Sequence, residues 1–171
     1  MSTDYAIGAL DVLLEKDCLC ERYYPLIKYK SALISGLALL GCRTKSDAEK
    51  LSDDELMQSG ISIDEVRLFR KFLTIYDAKP AKFREIEKLC ASPEEQAAFR
   101  ELYCLPGVKY VRANLYYRAG YKSLSDIASA SEREILERTA AAIAENSLGC
   151  IVPLPKEVRT HIAVSKAFLW E

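Results

Sequence analysis

Leu105-Pro106-Gly107-Val108-Lys109-Tyr110-Val111-Arg112-Ala113-Asn114-Leu115 is the stretch from which the fold is read. A Pro-Gly pair punctuates the backbone, since proline cannot continue a hydrogen-bonded helix and glycine accepts turn conformations closed to other residues. Beyond it Val108, Val111 and Leu115 recur at spacings of three and four, the period of an α-helix. The stretch therefore reads as a tight turn that opens a second helix.

Helix punctuation continues along the rest of the chain. Serine followed three residues later by glutamate, the capping-box pattern, occurs at Ser46/Glu49, Ser52/Glu55, Ser62/Glu65, Ser92/Glu95 and Ser131/Glu134. Pro80, Pro93 and Pro155 suit first helical positions, where the missing N–H costs nothing. Apolar residues step around single helix faces at Val66, Phe69, Phe72 and Leu73, at Ile86, Leu89 and Cys90, and at Ile135, Leu136, Thr139 and Ile143. No segment alternates like a strand. These patterns predict an all-α fold of about nine or ten helices, without a sheet.

The chain also repeats itself. With Gly41 placed on Gly120, an offset of 79, Ser46 meets Ser125, Asp47 meets Asp126, Ser52 meets Ser131, Glu55 meets Glu134 and Leu56 meets Ile135 without a gap. Each copy reads as a helix ended by glycine, a one-turn helix after Ser46 or Ser125, and a further helix after Ser52 or Ser131. The expected organisation is an N-terminal amphipathic helix with one copy over 1–76, connecting helices over 77–103, and the second copy with a C-terminal helix over 104–171, packed as one compact unit.

With 24 basic and 25 acidic residues the net charge is −1, which excludes a strongly basic nucleic-acid binder but conceals an uneven distribution. The segment 22–46 carries Arg22, Lys28, Lys30, Arg43 and Lys45, and the segment 105–125 carries Lys109, Arg112, Arg118 and Lys122; neither contains an acid. The same offset places Lys30 on Lys109 and Arg43 on Lys122. Tyr110, Tyr116, Tyr117 and Tyr121 are interleaved with the second set, a pattern that serves either base stacking or ordinary packing and protein contact.

Other chemistry has little foothold. The six cysteines include one close pair, Cys18-x-Cys20, without zinc-site spacing, and read as thiols that behave as small hydrophobes. His161 is the sole histidine, which excludes His-dependent triads and multi-histidine metal sites, and it reads as a surface or partly buried position. Acid runs such as Asp53-Asp54-Glu55 fit helix N-termini. No phosphate loop or dinucleotide fingerprint occurs. The expectation is no catalytic residue, no metal and no cofactor. No apolar run reaches membrane-spanning length and the start lacks a basic, apolar leader, so a cytoplasmic location without membrane contact is expected.

The stretch 105–115 resembles the helix-hairpin-helix motif, apolar-x-Gly-apolar-Gly-x-x-x-Ala, through Leu105, Gly107, Val108 and Ala113. With the repeat, the chain resembles bacterial tandem helix-hairpin-helix (SAM-like) proteins. The resemblance implies a turn whose backbone amides meet a nucleic-acid phosphate without reading bases, and a small Ala113 that lets two helices approach. Lys109 stands in place of the second glycine, so its side chain either obstructs that contact or replaces it with a point charge. The first copy, without a Pro-Gly turn, is degenerate. Helix-hairpin-helix DNA glycosylases share Leu105 to Val108 and Ala113-Asn114, but their catalytic lysine would fall on Val111. The implied function is a non-catalytic protein that contacts DNA or RNA backbone through Gly107, Lys109, Tyr110, Arg112, Arg118, Lys122, Lys30 and Arg43. The alternative is a protein-protein adaptor on the same scaffold.

Overall fold

The computed structural model describes residues 4–16, 22–76 and 80–169, and among these residues the fold is all-α. A short 3-10 turn, Ile7–Ala9, leads into twelve α-helices: α1 (Leu10–Lys16), α2 (Tyr24–Lys28), α3 (Lys30–Leu39), α4 (Lys45–Lys50), α5 (Asp53–Met57), α6 (Ile63–Leu73), α7 (Pro80–Leu89), α8 (Pro93–Leu102), α9 (Tyr110–Arg118), α10 (Leu124–Ser129), α11 (Glu132–Asn146) and α12 (Pro155–Phe168). The only extended pairing described is a single antiparallel bridge between Ala6 and Thr44. The helices outnumber the expectation; the short α2, for one, is an element separate from α3. No described helix is long and apolar enough to cross a membrane.

The chain gathers into two compact units, 1–77 with 167–171 and 78–166, where the sequence pattern reads as one. Each buries its own apolar residues. In the first, Leu10, Leu13, Leu33, Leu37, Phe69 and Phe72 are closed off from solvent, and Tyr5, Tyr76 and Phe168 meet edge to face with centroids 5.1–6.3 Å apart. In the second, Phe99, Leu102, Ala113, Leu115, Tyr116 and Ile135 form the core, with α9 packed between α8 and α11.

Equivalent hydrogen bonds recur at the offset of 79. The N–H of Cys42 donates to Leu37 O and that of Tyr121 to Tyr116 O; Gly41 donates to Ala38 O and Gly120 to Tyr117 O. The one-turn helices α4 and α10 start at equivalent positions. Their caps, however, are not Ser46 and Ser125. Thr44 and Ser123 cap them, with Asp47 and Asp126 reaching back to the backbone amides, because Lys45 and Leu124 are buried at the first helical position and fix the earlier start. Ser52/Glu55 and Ser62/Glu65 form the expected capping boxes. Ser92 and Ser131 accept from the Glu95 and Glu134 amides, while the Glu95 carboxylate takes the Ala91 N–H instead.

After the caps the two units diverge. α5 ends within two turns at Gln58–Gly60 and α6 begins afresh, whereas α11 continues through its alanine-rich middle to Asn146. Gly36 in α3 lies against this break: a Cβ there would sit 2.5 Å from Ser59 Cα. Arg70 of α6 closes the same region. Its guanidinium donates to the carbonyls of Ala48, Glu49 and Leu51 at the end of α4 and to the Asp53 carboxylate, 3.1 Å away.

Candidate functional site

The turn of the second unit occupies residues 103–109, between α8 and α9. Leu105 and Val108 are buried beneath it, and the Val108 N–H closes the turn on the Leu105 carbonyl at 3.2 Å. Gly107 is exposed at φ +73°, and no atom lies within 4 Å of where its Cβ would be. Glycine is required there by backbone handedness rather than by space. Lys109 is the N-cap residue of α9, with extended backbone; it is exposed, makes no side-chain cap, and has no ion-pair partner among the described residues.

His161 holds the turn from below. It is 1 % exposed, its Nε2 lies 2.9 Å from the Pro106 carbonyl oxygen, and its Nδ1 lies 2.7 Å from the Tyr116 hydroxyl. A carbonyl oxygen can only accept, so Nε2 carries the proton and Nδ1 accepts from Tyr116 O–H. Burial pushes the His161 pKa down and the Tyr116 pKa up, keeping both neutral. This corrects the reading of His161 as a surface or partly buried residue. The signal was in the sequence: Val158, His161, Val164 and Ser165 fall at helical spacing on one face, and all four are buried.

Most cations of the two acid-free segments are committed elsewhere. Arg112 forms a bidentate pair with Glu157, at 2.8 and 3.2 Å, and donates to the Ile151 carbonyl at 3.0 Å; its side chain is 18 % exposed. Lys122 pairs with Glu94 at 2.7 Å and Arg118 lies 3.9 Å from Glu95. In the first unit Lys30 lies 2.7 Å from Asp11 and 2.5 Å from Glu15 of α1, whose carboxylates push its pKa up. Arg43 is exposed without an ion pair among the described residues, but it lies in the connection from α3 to the one-turn α4 rather than at a turn between two long helices.

The tyrosines divide in the same way. Tyr116 and Tyr121 are core residues, closed to any stacking base. Tyr110 is half-buried against Phe99, centroids 5.6 Å apart, and Tyr117 packs on Phe99 with the Arg118 and Lys122 cations over its ring at 5.9 and 5.4 Å. Of the residues singled out from sequence, the structure therefore brings Gly107, Lys109, Tyr110 and Arg112 together around one turn. In the first unit the equivalent positions hold no such turn: α2 passes to α3 through the single residue Tyr29.

Exposed apolar side chains lie on α9 and on the segment before α12. Val111 on α9 and Ile151, Val152 and Leu154 on the segment before α12 all face solvent, and the Arg112 bond to Ile151 O ties that segment to α9. Cys42, Cys90 and Cys150 are free thiols, and Cys18-x-Cys20 lies outside the described residues. Among the described residues no three His, Cys, Asp or Glu side chains cluster as metal ligands would. The chain matches no family model, no curated protein and no solved structure.

Proposed function

We propose that this is a non-catalytic binding protein of tandem helix-hairpin-helix type that contacts the backbone of DNA or RNA, without strong sequence preference, through the turn of its second unit. The observation that carries the reading is Lys109: an exposed ammonium at the uncapped N-terminus of α9, two residues from the solvent-facing Gly107. A helix N-terminus presents unpaired amides and the positive end of the helix dipole, and both favour a phosphate oxygen. Because Arg112, Lys122 and Lys30 are engaged by carboxylates, the contact is small, involving one or two phosphates.

Labelled duplex and single-stranded oligonucleotides titrated at low and moderate salt test this reading. Log affinity for the duplex should fall against log salt with a slope of only about −1 to −2, as one or two phosphate contacts require. Lys109→Glu should weaken binding at least about tenfold, roughly the loss of one charge-assisted contact. Absence of binding at low salt, or an unchanged affinity in Lys109→Glu, would overturn it.

A second reading is favoured by the exposed apolar residues Val111, Ile151 and Leu154. Exposed apolar side chains are a common feature of protein contacts, so the same region would serve as part of an adaptor. Ile151→Asp separates the two: it would leave oligonucleotide affinity intact and abolish retention of any protein held by the wild-type chain.

A further inference from the structure

We infer that His161 is a positioning residue for the turn, fixing the Pro106–Gly107 peptide so that the Gly107 N–H points outward as a donor for a phosphodiester oxygen. The inference rests on the reading of the turn as the contact surface and deepens it. It follows from peptide geometry. In a planar trans peptide the C=O and the following N–H point to opposite edges. No cis peptide occurs among the described residues, and the Pro106 carbonyl is turned inward to His161 Nε2–H at 2.9 Å. The N–H on the opposite edge, that of Gly107, must then face away from the buried imidazole. It has no acceptor among the described residues, and its glycine is exposed.

The hold depends on one tautomer. Were Nε2 unprotonated, its lone pair would confront the Pro106 oxygen and the peptide would lose its anchor. The Pro106 carbonyl, which can only accept, selects the productive tautomer, and Tyr116 O–H completes it by donating to Nδ1 at 2.7 Å. The charged groups around the ring are Glu157 on its own helix and Arg112 on α9; these two neutralise each other as an ion pair, and Tyr121 lies beyond Tyr116. A buried tyrosine thus steadies a histidine, and the histidine sets a backbone amide at the surface.

The full chain carries one histidine and is suited to a spectroscopic test, because its imidazole gives a single set of 15N signals. Those signals should show Nε2 protonated and Nδ1 unprotonated. His161→Leu removes the donor and should move the Gly107 amide resonance; His161→Gln, whose side-chain amide supplies an N–H near the Nε2 position, should return it toward the wild-type value. Oligonucleotide affinity should follow the same order, with about tenfold loss in the leucine variant, the scale of one lost hydrogen bond, and recovery in the glutamine variant. If the leucine variant does not fold, Tyr116→Phe serves in its place: it deletes the ring's second hydrogen bond and loosens its hold, so the Nδ1 signal should move and the Gly107 resonance should shift. An unshifted Gly107 resonance in a folded His161→Leu or Tyr116→Phe chain overturns the inference. If the wild-type chain binds no oligonucleotide, the proposed function falls, and the positioning role is decided by the Gly107 resonance alone.

Discussion

The hydroxyl of Tyr116 lies 2.7 Å from Nδ1 of His161, and both side chains are sealed from solvent. Forty-five residues separate the two, so the bond ties α9 to α12 across the core of the second unit. Since burial lowers the His161 pKa below its ordinary value near 6.5, the unfolded chain takes up a proton that the folded chain refuses. Stability from this group is complete above about pH 6.5 and is lost as the pH falls from there toward the lower folded value. Urea midpoints between pH 7.5 and 5.5, followed by circular dichroism, should decline more steeply for the wild type than for His161→Gln. Parallel declines would show that another group carries the acid sensitivity.

Arg112 and Glu157 form a two-pronged, mostly buried pair that also holds the Ile151 carbonyl. Bidentate, charge-assisted geometry distinguishes it from a solvated surface pair, whose worth is near zero. A double-mutant cycle with Arg112→Gln and Glu157→Gln should return a coupling of about 1–2 kcal/mol in chemical denaturation. Additive losses would mean that the two side chains act independently.

Arg70 collects three carbonyls and a carboxylate at the junction of α4, α5 and α6. A lysine cannot reproduce that planar fork. Arg70→Lys should cost about 1–2 kcal/mol of stability, read as a lower denaturation midpoint with an unchanged transition slope. A variant as stable as the wild type would reduce the cluster to a surface ornament.

Two glycines should respond to substitution in opposite ways. At Gly36 size is the obstacle, since a Cβ would meet Ser59 backbone; alanine should cost about 1–3 kcal/mol by overpacking, and asparagine more. At Gly107 handedness is the obstacle, and alanine should cost about 1–2 kcal/mol, while asparagine, which tolerates the left-handed region, should cost less. Thermal melts of the four variants give the ranking. An asparagine worse than alanine at Gly107 would mean that the turn is packed after all.

Local features of this fold were legible because they depend on neighbours in sequence. The buried stripe Val66, Phe69, Phe72 and Leu73 and the capping boxes at Ser52 and Ser62 are set within one or two helical turns. The misread caps at Ser46 and Ser125 show the limit of that locality: burial of Lys45 and Leu124 moved each start two residues earlier. The candidate site was less legible because its partners are remote. Lys30 meets Glu15 and Arg112 meets Glu157 only after folding, so segments free of acid in sequence are neutralised in space. The burial of His161 is signalled by its own helix face, but its acceptor is not, since that is a carbonyl 55 residues away.

The open space over Gly107 has a chemical corollary. A position with φ +73° and nothing near the missing side chain is one that a residue of inverted chirality would occupy without strain. D-alanine, introduced by ligation of a synthetic segment, would fit where L-alanine does not and would stiffen the unfolded chain. That turn is therefore a stereochemical filter, indifferent to bulk, and glycine passes it because glycine alone among the coded residues has no hand.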